Sequence, residues 1–143
     1  MTQLCFTVDS PTKILMSTKK DGTQKFYPLN INAFRNLHWS QLNKAKKLYE
    51  DIMIQLLMKS DSHLQRLDKI DIKYQVIACN NRKFDTMNVV AIVDKYFQDC
   101  LVNFRIIEDD NFKIVNEVTV FPVIVDKSLP ETICRITVWH LLN

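Results

Sequence analysis

The chain has 143 residues, enough for one domain with a single hydrophobic core and too few for two domains of ordinary size. Hydrophobic residues make up 47% of it and charged residues 24%, which argues against a disordered or fibrous protein, and no apolar run approaches the roughly 20 residues of a membrane helix. The net charge of +3 is too small to identify a nucleic-acid partner by itself.

The first residues lack the basic and apolar segments of a signal peptide, so the sequence predicts an intracellular protein. The cysteines form no C-x-x-C pair, which argues against a zinc knuckle or a redox pair and predicts buried, reduced thiols. Gly22 is the only glycine, which excludes a glycine-rich phosphate loop and a nucleotide cofactor bound by one. The cysteines are Cys5, Cys79, Cys100 and Cys134.

A strand and a hairpin are predicted at the start of the chain. Apolar and polar residues alternate over residues 4–8, which indicates a first strand that ends near residues 9–11. Residues 14–17 and 24–27 then flank a turn at residues 20–23, where an Asp-Gly pair suits a tight hairpin.

A long amphipathic helix is predicted over residues 39–59, because apolar residues recur there at spacings of three and four. Alternation over residues 70–78 next predicts a strand with one buried face. The apolar stripe of the helix consists of Trp39, Leu42, Ala45, Tyr49, Ile52, Met53 and Leu56.

A second helix is predicted over about residues 88–104, with Asp85 or Thr86 as its cap. Two closing strands fit residues 113–122 and 132–141, which a turn-forming segment separates. This order of elements predicts a single α+β domain covering all 143 residues, in which two main helices pack on a mixed β-sheet.

Charged residues are clustered along the chain, with three consecutive carboxylates at residues 108–110. A basic surface around a small acidic centre suits an enzyme that cuts phosphodiester bonds, because the DNA backbone is attracted while a cation is held at the scissile phosphate. The alternative is a set of solvated helix faces and an ordinary acidic loop. The basic clusters are Lys19-Lys20, Lys44-Lys46-Lys47, Lys69-Lys73 and Arg82-Lys83.

Asp85 lies between the central strand and the second helix, and residues 108–110 lie between that helix and the next strand. If the two ends meet, three or more carboxylates converge, and Mg²⁺ is the natural cation for such oxygen ligands. Lys95 lies seven residues after Asn88, so both project from one helix face. There Lys95 would either stabilise charge on a phosphate or cover the helix surface.

The run Arg82-Lys83-Phe84-Asp85-Thr86-Met87-Asn88, a helix carrying Lys95 and Asp99, and then Ile107-Glu108-Asp109-Asp110 together resemble the RusA-type Holliday-junction resolvases. That family, often encoded by phages or prophages, shows a basic run, Asp-x-Asp-Asn, a helix with a lysine, and an Asp-Asp pair before a strand. Residues 28–35 resemble its Pro/Asn-rich segment. The resemblance extends from about Pro28 to Leu141.

Two features depart from the family pattern. The family's second aspartate falls on Met87, whose thioether is a soft, uncharged donor that does not ligate Mg²⁺. Matching Lys95 and Asp99 also requires four extra residues after Asn88, which is about one helical turn, or about 6 Å along the axis.

The resemblance implies a structure-specific endodeoxyribonuclease that resolves four-way DNA junctions in recombination and repair by paired, Mg²⁺-dependent cuts. It also implies a homodimer in the cytoplasm of a bacterial host. Asp85 and Asp110 would hold the metal, with Asp109 as a fallback ligand and Mn²⁺ as an alternative ion. A metal-bound water would attack the phosphorus while Lys95 stabilises the developing charge.

Arg35, Arg82 and Lys83 are the predicted phosphate contacts, and apolar strand edges near residues 121–125 are the predicted dimer interface. His38, beside Trp39, is a further candidate for a DNA contact, whereas His63 and His140 are interpreted as structural or surface residues.

Two alternatives remain at this point. One is a resolvase-like protein that binds junctions but cuts poorly, because Met87 replaces a metal-binding aspartate. The other is an α+β interaction module whose acidic loop has no catalytic role.

Overall fold

The computed structural model describes residues 1–60 and 65–142, which form seven strands and three helices. In chain order these are β1 (Thr2–Pro11), β2 (Lys13–Thr18), β3 (Gln24–Pro28), α1 (Ile31–Asn36), α2 (Trp39–Lys59), β4 (Ile70–Ala78), α3 (Thr86–Asn103), β5 (Val115–Val120), β6 (Ile124–Val125) and β7 (Ile133–Leu141).

Five of the strands form a mixed sheet in the order β1-β7-β4-β5, with β6 on the same edge of β4 as β5. β7 is antiparallel to both of its neighbours, whereas β5 and β6 run parallel to β4. Pro122 lies in the gap between β5 and β6 and has no N–H to donate, so the two short strands form one interrupted edge. β2 and β3 form a separate hairpin, closed by Gly22 at φ 89°.

The core lies between one face of the sheet and the two long helices. Inward positions of the strands are buried, and they include Phe6, Ile72, Tyr74, Ile136 and Val138. The opposite face carries polar residues such as Arg135, whose Nε donates to the Asp9 carboxylate at 2.9 Å. This architecture confirms the predicted α+β domain with two main helices on a mixed sheet.

Two hydrogen bonds link buried polar groups of the sheet to the long helices. The hydroxyls of Ser10 and Tyr49 share a hydrogen bond of 2.7 Å, and the Tyr74 hydroxyl donates to the Asp94 carboxylate on α3. These bonds join the sheet to both long helices. Because hydrogen bonds are directional and apolar contacts are not, they help to fix the orientation of the helices on the sheet.

The predicted elements agree closely with the observed ones, with three corrections. α1 was not predicted as a helix. Trp39 and Ile52 do not join the buried stripe of α2: Trp39 is 68% exposed because burial on that helix begins only at Ala45, and Ile52 is 36% exposed beside the buried Met53. The predicted strand over residues 113–122 is shorter and is interrupted at Pro122, as described above.

The cysteines are all free thiols, as predicted, but only Cys100 and Cys134 are buried, whereas Cys5 and Cys79 are partly exposed. Burial raises the pKa of the Cys134 thiol to about 12, and it raises that of Cys100 further. Across the described ranges, neither long helix has the apolar stretch needed to cross a membrane.

Candidate functional site

Asp85 caps α3. Its Oδ1 accepts a hydrogen bond from the backbone N–H of Met87 at 3.1 Å, and its side chain is open to solvent. β4 ends at Ala78, so Asp85 stands beyond the carboxyl end of the central strand. A short polar side chain at this position satisfies an N–H that the helix leaves unpaired, which confirms the cap predicted from the sequence.

α1 packs against the first turns of α3. The backbone N–H of Ile31 donates to Oδ1 of Asn88 at 3.1 Å, across 57 positions of sequence. Asn30 caps α1 by accepting from the N–H of Ala33 at 2.8 Å, which sets the direction in which α1 leaves the hairpin. The segment that resembles the family's Pro/Asn-rich region therefore lies against the segment that resembles its Asp-x-Asp-Asn motif.

Lys95 borders the same contact. Its Nζ lies 5.8 Å from the centroid of the Phe34 ring on α1, at the distance of a cation–π contact. Lys95 follows Asp85 by ten residues, which is about 15 Å along the helix axis. Asp99, further along the helix, pairs with Lys46 of α2 at 3.7 Å.

A cavity of about 620 Å³, called here the basic cavity, opens beside Asp85. Arg82 and Lys83 line it from the segment after β4, and Lys13 lines it from β2. Phe84, the residue before Asp85, is also in the lining, and Glu131 contributes an opposing charge. Three cations against one carboxylate make this a favourable surface for an anion.

Lys13 was missed by sequence reasoning, because no local pattern distinguishes it from other surface lysines. It reaches the cavity only because the β2–β3 hairpin lies next to the end of β4. Arg35, the other predicted phosphate contact, lies exposed in the last turn of α1 and outside the lining of this cavity.

The acidic segment, Glu108 to Asp110, lies at the other end of α3. The 18 residues of that helix span about 27 Å. β5, which follows the segment, begins opposite Ile70 at the start of β4, whereas Asp85 lies beyond the end of β4. The structure therefore does not bring Asp85 and Asp110 together within one chain.

The acidic segment is held by local hydrogen bonds. Asp109 accepts from the N–H of Asp110 at 2.8 Å and from the Asn111 amide at 2.9 Å. Both bonds lower the pKa of the Asp109 carboxyl, because they favour its charged form, and the bond from Asn111 has the larger effect. Glu108 lies 4.0 Å from Arg66, and Asp110 is exposed.

The carboxylates of a single chain do not fit the predicted magnesium site. Within residues 1–60 and 65–142, no three His, Cys, Asp or Glu side chains converge closely enough to hold a metal ion. Met87, where the family has an aspartate, is 52% exposed next to Asp85 and offers only a thioether. Among the described residues Asp85 therefore has no pair of such side chains beside it, and a Mg²⁺ site built on it would be completed by other oxygen ligands, such as water, phosphate or a partner's carboxylate.

Two histidines, His38 and His140, lie among the described residues. Nδ1 of His38 accepts from the N–H of Ser40 at 3.2 Å and caps α2, so its side chain has a structural role at the helix start. His140 lies in β7 and is partly buried. His63 lies outside the described residues.

Comparison with known proteins found no family model that matches this chain and no match among curated proteins. The likeness to the resolvase family therefore consists of the motifs given above.

Proposed function

We propose that this protein is a structure-specific endodeoxyribonuclease that binds and cuts four-way DNA junctions. The observation that supports the proposal most strongly is the hydrogen bond from Ile31 to Asn88. It joins the two sequence segments that resemble the resolvase family, at the helix end where Asp85 is exposed.

The basic cavity supports a role in DNA binding. Lys13, Arg82 and Lys83 form a cationic surface beside Asp85, and such a surface binds phosphates without reading base sequence. Lys95 would contact a phosphate further along the strand, next to α1. Binding of this kind weakens steeply as salt rises, because counterions are released from the DNA.

The separation of Asp85 from Asp110 supports a site shared between two subunits. Paired cuts in a two-fold symmetric junction call for two active sites related by a two-fold axis. If the two copies of α3 run antiparallel across that axis, Asp85 of one protomer faces Asp110 of its partner. Mg²⁺, or Mn²⁺ in its place, would then be held by carboxylates of both chains, with Asp109 as the alternative ligand.

The interrupted edge formed by β5 and β6 is the proposed dimer interface. Phe121, Ile124 and Val125 are exposed along it, and exposed apolar residues on a sheet edge favour association. Antiparallel pairing of two such edges would place the Asp110 end of one chain beside the Asp85 end of the other. The dimer interface and the composite site therefore require the same arrangement.

Incubation of the purified protein with a synthetic four-way junction and Mg²⁺ tests the proposal. The expected result is two nicks placed symmetrically about the branch point, with no nicking of a duplex of the same sequence. Equal binding of junction and duplex, together with no nicking of either, would contradict it.

The second candidate is a protein that binds junctions without cutting them efficiently. Met87 favours it, because its exposed thioether stands two residues after Asp85, where the family pattern has a carboxylate. Tight junction binding without nicking, followed by gain of nicking in Met87→Asp, would identify this function.

A further inference from the structure

A second, smaller cavity of about 280 Å³ lies between the β2–β3 hairpin and the helices α1 and α2. Phe26, Tyr27, Ala33 and Leu37 form much of its wall, so its surface is largely apolar. The side chains of Asn36 and Gln41 add amide groups to this lining. An apolar cavity with a few amides suits a planar, polar-edged ring system, and its volume lies at the small end for ligand pockets.

The charged groups of this apolar cavity are all cationic. Lys25 and Lys44 line it, and neither forms an ion pair with any side chain in the described ranges. No carboxylate belongs to the part of the lining that the structure describes. The lining therefore fits a ligand that combines an apolar ring with a neighbouring negative charge.

α1 connects the apolar cavity to the candidate site. Ala33 lines the cavity, while the next residue, Phe34, contacts Lys95, and Ile31 bonds to Asn88. The cavity thus lies about one helix diameter, on the order of 10 Å, from the exposed face of α3. A DNA strand bound on α3 would pass within reach of it.

We infer that this cavity binds a single nucleobase displaced from the stack at the branch point of a DNA junction, with the adjoining phosphates held by Lys25 and Lys44. The inference rests on the proposed function. A base beside the branch point costs less to displace than one within a continuous duplex, because stacking is interrupted at the branch, and once displaced it presents an edge that the amides of Asn36 and Gln41 match. The cavity volume of about 280 Å³ is sufficient for one base.

Junctions with one abasic nucleotide, placed in turn at each position next to the branch point, test the inference. Binding is measured without divalent metal, so that cutting is not required. We expect the wild-type protein to bind the junction that lacks the recognised base about tenfold more weakly, because one stacked base is lost. The other abasic positions should bind normally.

Ala33→Leu, which adds volume to the cavity wall, should bind the intact junction and the critical abasic junction equally. Gln41→Ala, at an exposed position, gives the same comparison without changing the packing of α1. The salt dependence of binding tests the proposed phosphate contact of Lys44. Lys44→Gln should reduce the slope of the logarithm of the binding constant against the logarithm of the salt concentration by about 1, which corresponds to one phosphate contact. Lys59→Gln, at the far end of α2, should leave this slope unchanged.

The inference would be overturned if abasic sites weakened binding equally at every position. It would also be overturned if the critical abasic site weakened junction binding by Ala33→Leu as much as binding by the wild-type protein. The proposed function would stand in that case, because junction binding itself is intact. Wild-type protein that does not prefer a junction to a duplex would overturn both.

Discussion

Asp85 caps the first turn of α3 and Asp110 follows its last turn, so a helix of 18 residues, about 27 Å long, separates the two carboxylates in one chain. The proposed shared site requires the two carboxylates to meet, and a second subunit would bring them together. The arrangement can be tested with inactive variants.

Mixing Asp85→Asn with Asp110→Asn should restore nicking that neither variant shows alone. In the mixed dimer of a shared-site enzyme, one site has both substitutions and the other has neither. With random exchange, about one quarter of the wild-type nicking rate should return. Nicking assays after partial unfolding and reassociation measure this. If both carboxylates of a site belonged to one chain, the mixture would remain inactive.

Met87→Asp should raise the rate of junction nicking, because it places a second carboxylate on the first turn of α3 next to Asp85. The substitution should not destabilise the fold, since position 87 is exposed and a negative charge near a helix amino terminus contributes about 0.3–1 kcal/mol. Met58→Asp is the control for the nicking assay, because Met58 is also an exposed methionine on a long helix, 69% exposed near the end of α2. An equal gain in both variants would show a general charge effect.

Asp85→Ala and Asp85→Asn separate the structural role of Asp85 from its chemical role. Alanine removes the cap on the N–H of Met87 and should lower the free energy of unfolding by about 1 kcal/mol, whereas asparagine retains the cap. Both should abolish nicking, because neither is a carboxylate. Denaturant unfolding and the nicking assay measure the two effects. An Asp85→Asn protein that still nicks would exclude Asp85 as a metal ligand.

Asn88→Ala should lower the free energy of unfolding by about 1–3 kcal/mol, because it leaves the N–H of Ile31 without its partner. It should also weaken junction binding, since α1 would lose its attachment to α3. Asn81→Ala, at an exposed position in the segment after β4, is the control and should change neither quantity. Chemical denaturation and gel-shift titration are the measurements. If Asn88→Ala bound junctions normally, α1 would not belong to the proposed DNA-binding surface.

The stability of the protein should fall as the pH rises from about 9 towards 12, because burial raises the pKa of Cys134 from 9.0 to about 12. The unfolded chain releases this proton at lower pH than the folded one, so the contribution is present below pH 9 and is lost through the folded pKa. Denaturation midpoints across this range should show the decline. Cys134→Ala should reduce the slope, and an unchanged slope would show that the decline comes from other buried groups, namely Cys100 and the buried tyrosines.

Local patterns in the sequence predicted most of the secondary structure. The amphipathic stripe predicted α2 with the bounds that the structure shows, and alternation predicted β4 in the same way. The cap of α3 was predicted as Asp85 or Thr86 from position alone, and the structure assigns it to Asp85. Helices, strands and helix caps depend mainly on residues that are close in sequence, so a short segment of the chain is enough to predict them.

Other features depended on contacts between distant segments. α1 has only six residues, too few to give a periodic signal, and it is held by its cap and by Asn88 of α3. Lys13 reaches the basic cavity, and Trp39 stays exposed, only because of how the hairpin and α2 pack. Hydrophobic periodicity does not predict where these side chains lie in the fold. It shows which face of an element is apolar, but not how the element is placed relative to the sheet.

The sequence by itself determined an α+β domain, the cap at Asp85 and the presence of carboxylates at both ends of the second long helix. Only the tertiary structure decided that these carboxylates stay apart in one chain. The reason is the direction of β5: because it runs parallel to β4, the chain must return along α3 to the start of β4, which leaves Asp110 at one end of the sheet and Asp85 at the other.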